Sequence, residues 1–335
     1  MNKVRWGILG AARINERLLP AIAESSNSQL VAIASRRPNA AVETLAQFAP
    51  QPKGVRVYAG YEELIADPEV DAIYLPLANH EHADWTLRAI ESGRHVLCEK
   101  PMALKASDIE AIEAAAYKQG VVVMEGFMYR FHPQHERALE IIHSGIIGEV
   151  RQVRASFGFM MRPERLYRVA QGSATGGGAM WDVGCYAVHA ARTMMNGDQP
   201  ESVIAAARCN DQGADLTLSG VLNFSGQRQA IIEAGFESAR RSEYEVTGTK
   251  GGLRCQRAWV LPDDVPEISW WTEDGKRETE QLPPANHFKL EVEHFSDCVL
   301  NGTAPLLSPD DAKANCRTII ALLQAAAEER AVRVE

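Results

Sequence analysis

Residues 4–15 read "VRWGILGAARIN". The first six are apolar but for one arginine, as expected of a strand buried on both faces. Gly10 then marks a tight turn, and "INERLLPAIAESS" after it predicts an amphipathic helix. Strand, glycine turn and helix N-terminus are the parts from which a dinucleotide fold builds its pyrophosphate cradle. The full fingerprint for that turn is G-x-G-x-x-G. Here Gly10 fills the first position, Ala12 the second and Asn15 the third. Ala12 is small enough to let a phosphate approach, whereas Asn15 predicts looser packing of helix on strand. Taken alone the turn leaves the matter open, because any βα turn can carry a glycine. Gly10, Ala11, Ala12, Arg13 and Ile14 are the candidate cofactor residues here.

The same alternation continues to about residue 125. "QLVAIAS", "VRVY", "DAIYLPL", "HVLCEK" and "VVVMEGF" read as strands, and helical stretches separate them. One of these, "SDIEAIEAAAYKQG", is expected to open at Ser107 and close at Gly120. Apolar strands joined by helices indicate a doubly wound parallel sheet, an α/β Rossmann domain. Beyond that point "VRQVRASFGFM", "ESVIAAARC", "DLTLSGVLNF", "QRQAIIEAGF", "SEYEVTGTKGGLRC" and "ISWWTEDG" read as consecutive strands, so an α+β domain with a large, mostly antiparallel open sheet follows. A last helix starts at Ser308 and Pro309. The expected division is a Rossmann domain at 1–124, a β-sheet domain for substrate and oligomerisation at 125–307, and a C-terminal helix at 308–335 packing back towards the Rossmann domain.

Composition excludes several classes of function. A formal charge of −9 over 335 residues argues against a nucleic-acid binder, which leans on basic patches. No apolar run approaches the roughly 20 residues that cross a bilayer, and the N-terminus shows no signal-peptide pattern. The six cysteines are scattered with no C-x-x-C pair. That spacing suits reduced thiols in the cytoplasm, with neither a disulfide framework nor a zinc site.

The second strand ends in "ASRRPNAA". An NAD site places an acid there for the ribose 2′-hydroxyl. This chain has Ser35, Arg36 and Arg37 instead, a hydroxyl and two guanidiniums that suit a 2′-phosphate. NADP is therefore the expected cofactor, with NAD a weaker option. The fifth strand ends in "VLCEKPMAL", placing Glu99 and Lys100 where ligands of open α/β sheets gather. Pro101 leaves room for a cis bond. Further on, "GGGAMWDVGCYAVH" sets Asp182, Tyr186 and His189 within one short stretch. In a regular helix Asp182 and Tyr186 would share a face. The glycines before them are expected to let the chain pass close to cofactor or substrate.

"EKP" at the fifth strand, "GGGAMWDVGCY" downstream and a GxxGxA-like first turn together resemble the Gfo/Idh/MocA oxidoreductases. The resemblance runs over essentially the whole chain and includes "HPQHERALEIIHSGIIGEVRQVRASFGF" and "VTGTKGGLRC". It implies a Rossmann domain followed by an open-sheet domain, hydride transfer between NAD(P) and a carbohydrate-like hydroxyl or carbonyl without metal, and a homodimer or homotetramer formed through the sheet. Carried over residue by residue, Lys100 matches the lysine of "EKP" and Asp182 the aspartate of the second motif. Many members have histidine four positions later. Tyr186 departs from that and resembles the branch of NADP-dependent xylose dehydrogenases, dimeric dihydrodiol dehydrogenases and glucose–fructose oxidoreductase. The export signal and N-terminal arm of the last have no counterpart here, so that activity is not expected. "LANHEH", with Leu77, Asn79 and His82, matches the loop that approaches the nicotinamide ribose. Arg168 lies where the branch has an arginine ahead of its glycines.

On this reading Tyr186 is the acid/base, Lys100 lowers its pKa and holds the substrate oxygen, and Asp182 positions substrate or Lys100. Arg168, Trp181, Asp182 and Phe159 are candidate substrate residues; the two aromatics either wall a sugar ring or pack the core. His189 is read as a bystander. The leading function is an NADP-dependent sugar dehydrogenase or reductase, with an aldose oxidised at C1. The alternatives are a trans-dihydrodiol dehydrogenase and a non-catalytic NADP-binding or regulatory protein.

Overall fold

A computed structural model describes residues 3–49, 54–259 and 265–335. The chain divides by contact into two compact units, residues 1–131 with 286–313, and residues 132–285 with 314–335.

The first unit opens with β1 (Val4–Leu9), α1 (Asn15–Glu24), β2 (Ser28–Ala34), α2 (Ala40–Phe48), β3 (Arg56–Tyr58), α3 (Tyr61–Ala66) and β4 (Ala72–Leu75). It continues through α4 (His82–Glu91), β5 (His95–Glu99), α5 (Ala106–Gln119) and β6 (Val123–Gly126). Among the described residues these strands form one parallel sheet in the order β3-β2-β1-β4-β5-β6. That is the doubly wound order that reverses between β1 and β4. Trp6, Ile8, Ile33, Ile73, Tyr74 and Leu97 are wholly buried, as strands covered on both faces require. Helix α5 begins at Ala106 with Lys105 as its unbonded N-cap, so Ser107 does not cap it; Gly120 does close it, in the left-handed region.

The second unit carries α6 (Pro133–His143), β7 (Val150–Gly158), a π-helical segment (Met180–Gly184) and α7 (Cys185–Met194). Then come β8 (Ser202–Cys209), β9 (Asp215–Phe224), β10 (Arg228–Gly235), β11 (Arg241–Gly248), β12 (Gly251–Cys255), β13 (Glu267–Thr272) and β14 (Arg277–Gln281). The chain ends with α8 (His287–Asn301), α9 (Pro309–Glu328) and β15 (Val332–Arg333). The large sheet runs β14-β13-β12-β11-β7-β10-β9-β8-β15, antiparallel throughout except for the parallel pair β7 and β10. Helix α7 and Leu322 of α9 pack on one face of it. The two-domain class expected from the sequence is the one observed.

Two elements differ from the sequence reading. Helix α8, placed there in the sheet domain, belongs to the first unit. Its Phe295 ring lies 5.1 Å from that of Trp6, and Ser296 Oγ accepts a hydrogen bond from Trp6 Nε1 at 3.2 Å. Helix α9 is capped as expected, Asp311 N donating to Ser308 Oγ at 3.4 Å, but beyond Lys313 it belongs to the second unit. Phe295→Ala would leave a cavity against Trp6, and large-to-small changes of this kind cost about 3–5 kcal/mol. Chemical denaturation of the variant is expected to show a loss of that size.

Candidate active site

The parallel sheet brings the carboxyl ends of its strands to one edge. At β1, Gly10 has φ +132, and a Cβ there would stand 2.9 Å from Leu77 Cδ2, so glycine is required. Asn15 does not loosen the turn as expected. It is fully buried, and its Nδ2 donates to Gly10 O at 2.9 Å. The side chain thus closes the turn on itself. The helical hydrogen bonds begin with Asn15 N on Ala12 O and Glu16 N on Arg13 O, leaving the Ala11–Ile14 segment as the open end of the helix dipole.

At the end of β2, Ser35 Oγ accepts from Arg37 N at 3.1 Å, and the Arg37 guanidinium donates to Ala11 O. Arg36 lies over the Tyr61 ring at 4.7 Å and pairs with Glu81 at 2.6 Å. The arginine side of this pair is 54% exposed, so water screens it and a phosphate can compete for the guanidinium. Arg37 therefore borders the β1 turn through Ala11, and Arg36 borders the loop after β4 through Glu81.

That loop holds Leu77 and a 3-10 turn from Asn79 to Glu81. His82 follows it and is buried, with Nδ1 2.7 Å from Pro101 O and Nε2 3.0 Å from Leu77 O. Its ring therefore ties the β4 loop to the β5 turn and is not turned towards a ligand. Burial is the main cause of its lowered pKa, and the neighbouring Lys100 charge adds to it. At the end of β5, Glu99 accepts from Tyr74 Oη at 2.5 Å and from Lys100 N at 3.3 Å. The Lys100–Pro101 bond is cis, and Met102 N donates to Glu125 Oε1 at 2.7 Å. Glu291, on α8, is also buried, and burial together with the charge of Glu99 raises its carboxyl well above 4.5. No sequence motif pointed to it, and the sequence reading names no helix there.

In the second unit the stretch around Asp182 is not a regular helix. Residues 180–184 are π-helical and α7 begins at Cys185, so the simple four-residue spacing of Asp182 and Tyr186 does not hold. Arg168 forms an ion pair with Asp182, so two of the candidate substrate residues meet. Tyr186 is 5% exposed, with the Phe157 ring at 5.4 Å edge-on and the Trp259 ring at 5.9 Å. Trp181 is buried and donates from Nε1 to Ser173 O at 2.9 Å, so its indole serves the fold and not an aromatic wall. Phe159 is half-buried, between the rings of Phe157 and Phe236. His189 is buried in α7.

The glycine run does make close approaches, but to the protein itself. A Cβ on Gly177 would fall 1.9 Å from Gln171 O, and one on Gly178 would fall 2.0 Å from Asp215 Oδ1. Asp215 is buried and accepts from Met180 N at 2.6 Å. Desolvation pushes its pKa up to about 6, against the hydrogen bonds from Met180, Ser173 and Ala179 that favour the carboxylate. Nothing in the local sequence singled it out.

The profile described as "Oxidoreductase family, NAD-binding Rossmann fold" matches residues 4–127, and the "GFO/IDH/MocA C-terminal domain" matches residues 135–254. The chain belongs to the Gfo/Idh/MocA oxidoreductase family. Among Gfo/Idh/MocA relatives, D-xylose 1-dehydrogenase (NADP(+)) 2 of Haloferax volcanii is 36% identical, covering 98% of this chain and 99% of its own. A trans-1,2-dihydrobenzene-1,2-diol dehydrogenase of Xenopus tropicalis is 31% identical over 92% of this chain and 94% of its own. A solved 3-ketoreductase of Actinomadura kijaniata, in complex with NADP and TDP-benzene, superposes with a TM-score of 0.88 at 31% identity, covering 97% of this chain and 98% of that one.

Glu291 gives this family member a testable pH signature. A carboxyl whose folded pKa is raised contributes stability that is full below its unfolded value of 4.5 and is lost as pH rises through the folded value. Urea unfolding at pH 5 and pH 8 is expected to show wild type losing stability with rising pH, and Glu291→Gln losing less.

Proposed function

We propose that this protein is an NADP-dependent oxidoreductase that moves a hydride between the nicotinamide and a sugar, in the oxidative direction from an aldose C1 hydroxyl to give a lactone. One observation carries the reading. Tyr186, a buried phenol, follows directly on the segment that bears the Arg168–Asp182 ion pair, in a chain whose first unit has a dinucleotide turn. The Haloferax relative, with its NADP-dependent xylose activity, and the ketoreductase holding NADP support it.

The residues at the first edge fit the cofactor. Gly10 keeps the cradle free of a side chain, the open end of α1 suits a pyrophosphate, and Ser35, Arg36 and Arg37 suit the 2′-phosphate where an acid would favour NAD. Ala11, Ala12, Arg13, Ile14, Leu77, Asn79, Glu99 and Lys100 complete the proposed binding set. Bound NADP supplies the hydride-accepting or hydride-donating carbon. The chain supplies the proton chemistry. Tyr186 Oη takes the proton of the substrate hydroxyl in oxidation and returns one in reduction. A free phenol titrates at about 10, so a cationic partner is needed to make it a base near neutrality, and Lys100 has that role. Asp182, fixed by Arg168, orients the sugar, and Phe159 offers its half-exposed ring to an apolar sugar face.

A second reading, oxidation of a trans-dihydrodiol, draws on the Xenopus relative and the apolar Phe157–Phe159–Phe236 cluster. The six free thiols suit a cytoplasmic location; among the described residues no helix is long and apolar enough to cross a membrane. Assembly into a homodimer or homotetramer through the large sheet is part of the same reading. Its support is a cross-strand row of partly exposed apolar residues, Ile204, Val221 and Ile231.

Turnover of NADP⁺ against a panel of aldoses and cyclic diols tests the reading. Activity on aldoses is expected. Activity confined to apolar diols favours the second reading, and binding of NADP without any turnover returns the protein to a non-catalytic role. Tyr186→Phe is expected to lower kcat by about 10²–10⁴-fold while NADP affinity holds. Arg36→Ala is expected to weaken NADP roughly 10- to 100-fold and NAD much less, as loss of a charge-assisted hydrogen bond predicts; equal weakening of both would refute the 2′-phosphate role.

A further inference from the structure

The loop from Pro163 to Gly178 carries Arg168 and leads into the π segment that bears Asp182. Its fixed points converge on β9. Asp215, the first residue of that strand, accepts from Met180 N at 2.6 Å through Oδ2 and from Ser173 Oγ at 3.4 Å through Oδ1. Ser173 in turn accepts from Trp181 Nε1 through its carbonyl, and its one hydroxyl proton is shared between Asp215 and Gly213 O, the latter at 3.0 Å. Gly178, whose N–H donates to Arg168 O at 3.0 Å, has φ +104 and leaves the space that the Asp215 carboxyl occupies. One buried carboxyl thus fastens the loop, the glycine run and the start of the π segment to a strand of the sheet.

We propose that Asp215 is a positioning residue for the substrate. By holding Met180 N and Ser173 against β9 it sets where Arg168 and Asp182 stand, and so governs sugar binding more than the proton transfer at Tyr186. This rests on the sugar oxidoreductase reading above. Tyr186 itself has separate supports, the rings of Phe157 and Trp259, so the two roles are separable. Gly178 and Asp215 form one device. An alanine at 178 pushes on the carboxyl from the other side and strains a backbone that only glycine adopts readily.

The test compares wild type with Asp215→Asn, which keeps an acceptor of the same size, and Asp215→Leu, which keeps the bulk and removes the acceptor. Asp215→Leu is expected to raise the sugar KM roughly 10- to 100-fold, as removal of an acceptor that leaves buried donors unmet predicts. Its kcat is expected to change little and its NADP affinity to stay at the wild-type value. Asp215→Asn is expected to restore most of the KM. Amide exchange over residues 168–182 is expected to quicken in Asp215→Leu and to be slowed again in Asp215→Asn. If Asp215→Leu does not fold, Gly178→Ala carries the same expectations. The inference is overturned if KM stays at the wild-type value, if kcat falls in place of a KM change, or if Asn is as damaging as Leu. Wild type that turns over no sugar, with exchange still quickened by Asp215→Leu, overturns the sugar reading and leaves the anchoring in place.

Discussion

Six strands that run parallel must end on the same edge of their sheet, and that constraint organises the first unit. Gly10, Ser35, Leu77 and Lys100 come from four strand ends spread over ninety residues, yet the fold delivers them to one rim. Parallel strands also need helical crossovers, which cover both faces and demand apolar side chains throughout. The rim is then the place where chain direction changes and polar groups gather. Its turns are fastened by side chains: Asn15 to Gly10, Arg37 to Ala11, and His82 to Leu77 and Pro101.

Both units use buried polar groups for fastening, and the energetics explain why such groups are few. An unmatched buried carboxyl costs far more than a matched one returns. Asp215 meets its desolvation with backbone amides and the Ser173 hydroxyl, and still has its pKa displaced upward. Burial, with the charge of Glu99 beside it, raises the Glu291 carboxyl well above its ordinary value. His82 faces two carbonyls, and a neutral imidazole can donate to one of them at a time. Asp215 and His82 thereby fix backbone positions, at Met180 and at Leu77 and Pro101.

The first unit was legible because most of its strands are apolar runs and its turns carry Gly10 and Gly120. Lys100, Asp182 and Tyr186 are proposed on a pattern of spaced motifs, and of their expected neighbours the structure shows Arg168 paired with Asp182. Helix α8 was not assigned, although Phe288, Val292 and Phe295 stand at helical spacing, because it follows a run of strands and the chain returns to the first unit there. The π segment escaped because one extra residue in a turn leaves no mark in composition. Asp215 escaped for a deeper reason. The glycine at 178 announces a close approach, but the partner is chosen by tertiary packing, and a strand-initial aspartate looks like any turn residue. Trp181 illustrates the converse: its aromatic character was plain, while its hydrogen bond to Ser173 O, which occupies the indole, depends on the loop.

Helix α8 supplies Phe295 and Ser296 to the side chain of Trp6, and the residues between Phe131 and Asn286 belong to the other unit. On the ribosome the first strand emerges early, but the helix that covers it does not. At about 5–20 residues per second, the interval between that strand and that helix is a few tens of seconds. During synthesis, then, Trp6 waits without the Phe295 ring and the Ser296 hydroxyl until the main segment of the second unit has been made. The second sheet, whose strands from β7 to β14 are contiguous in sequence, can assemble in that interval.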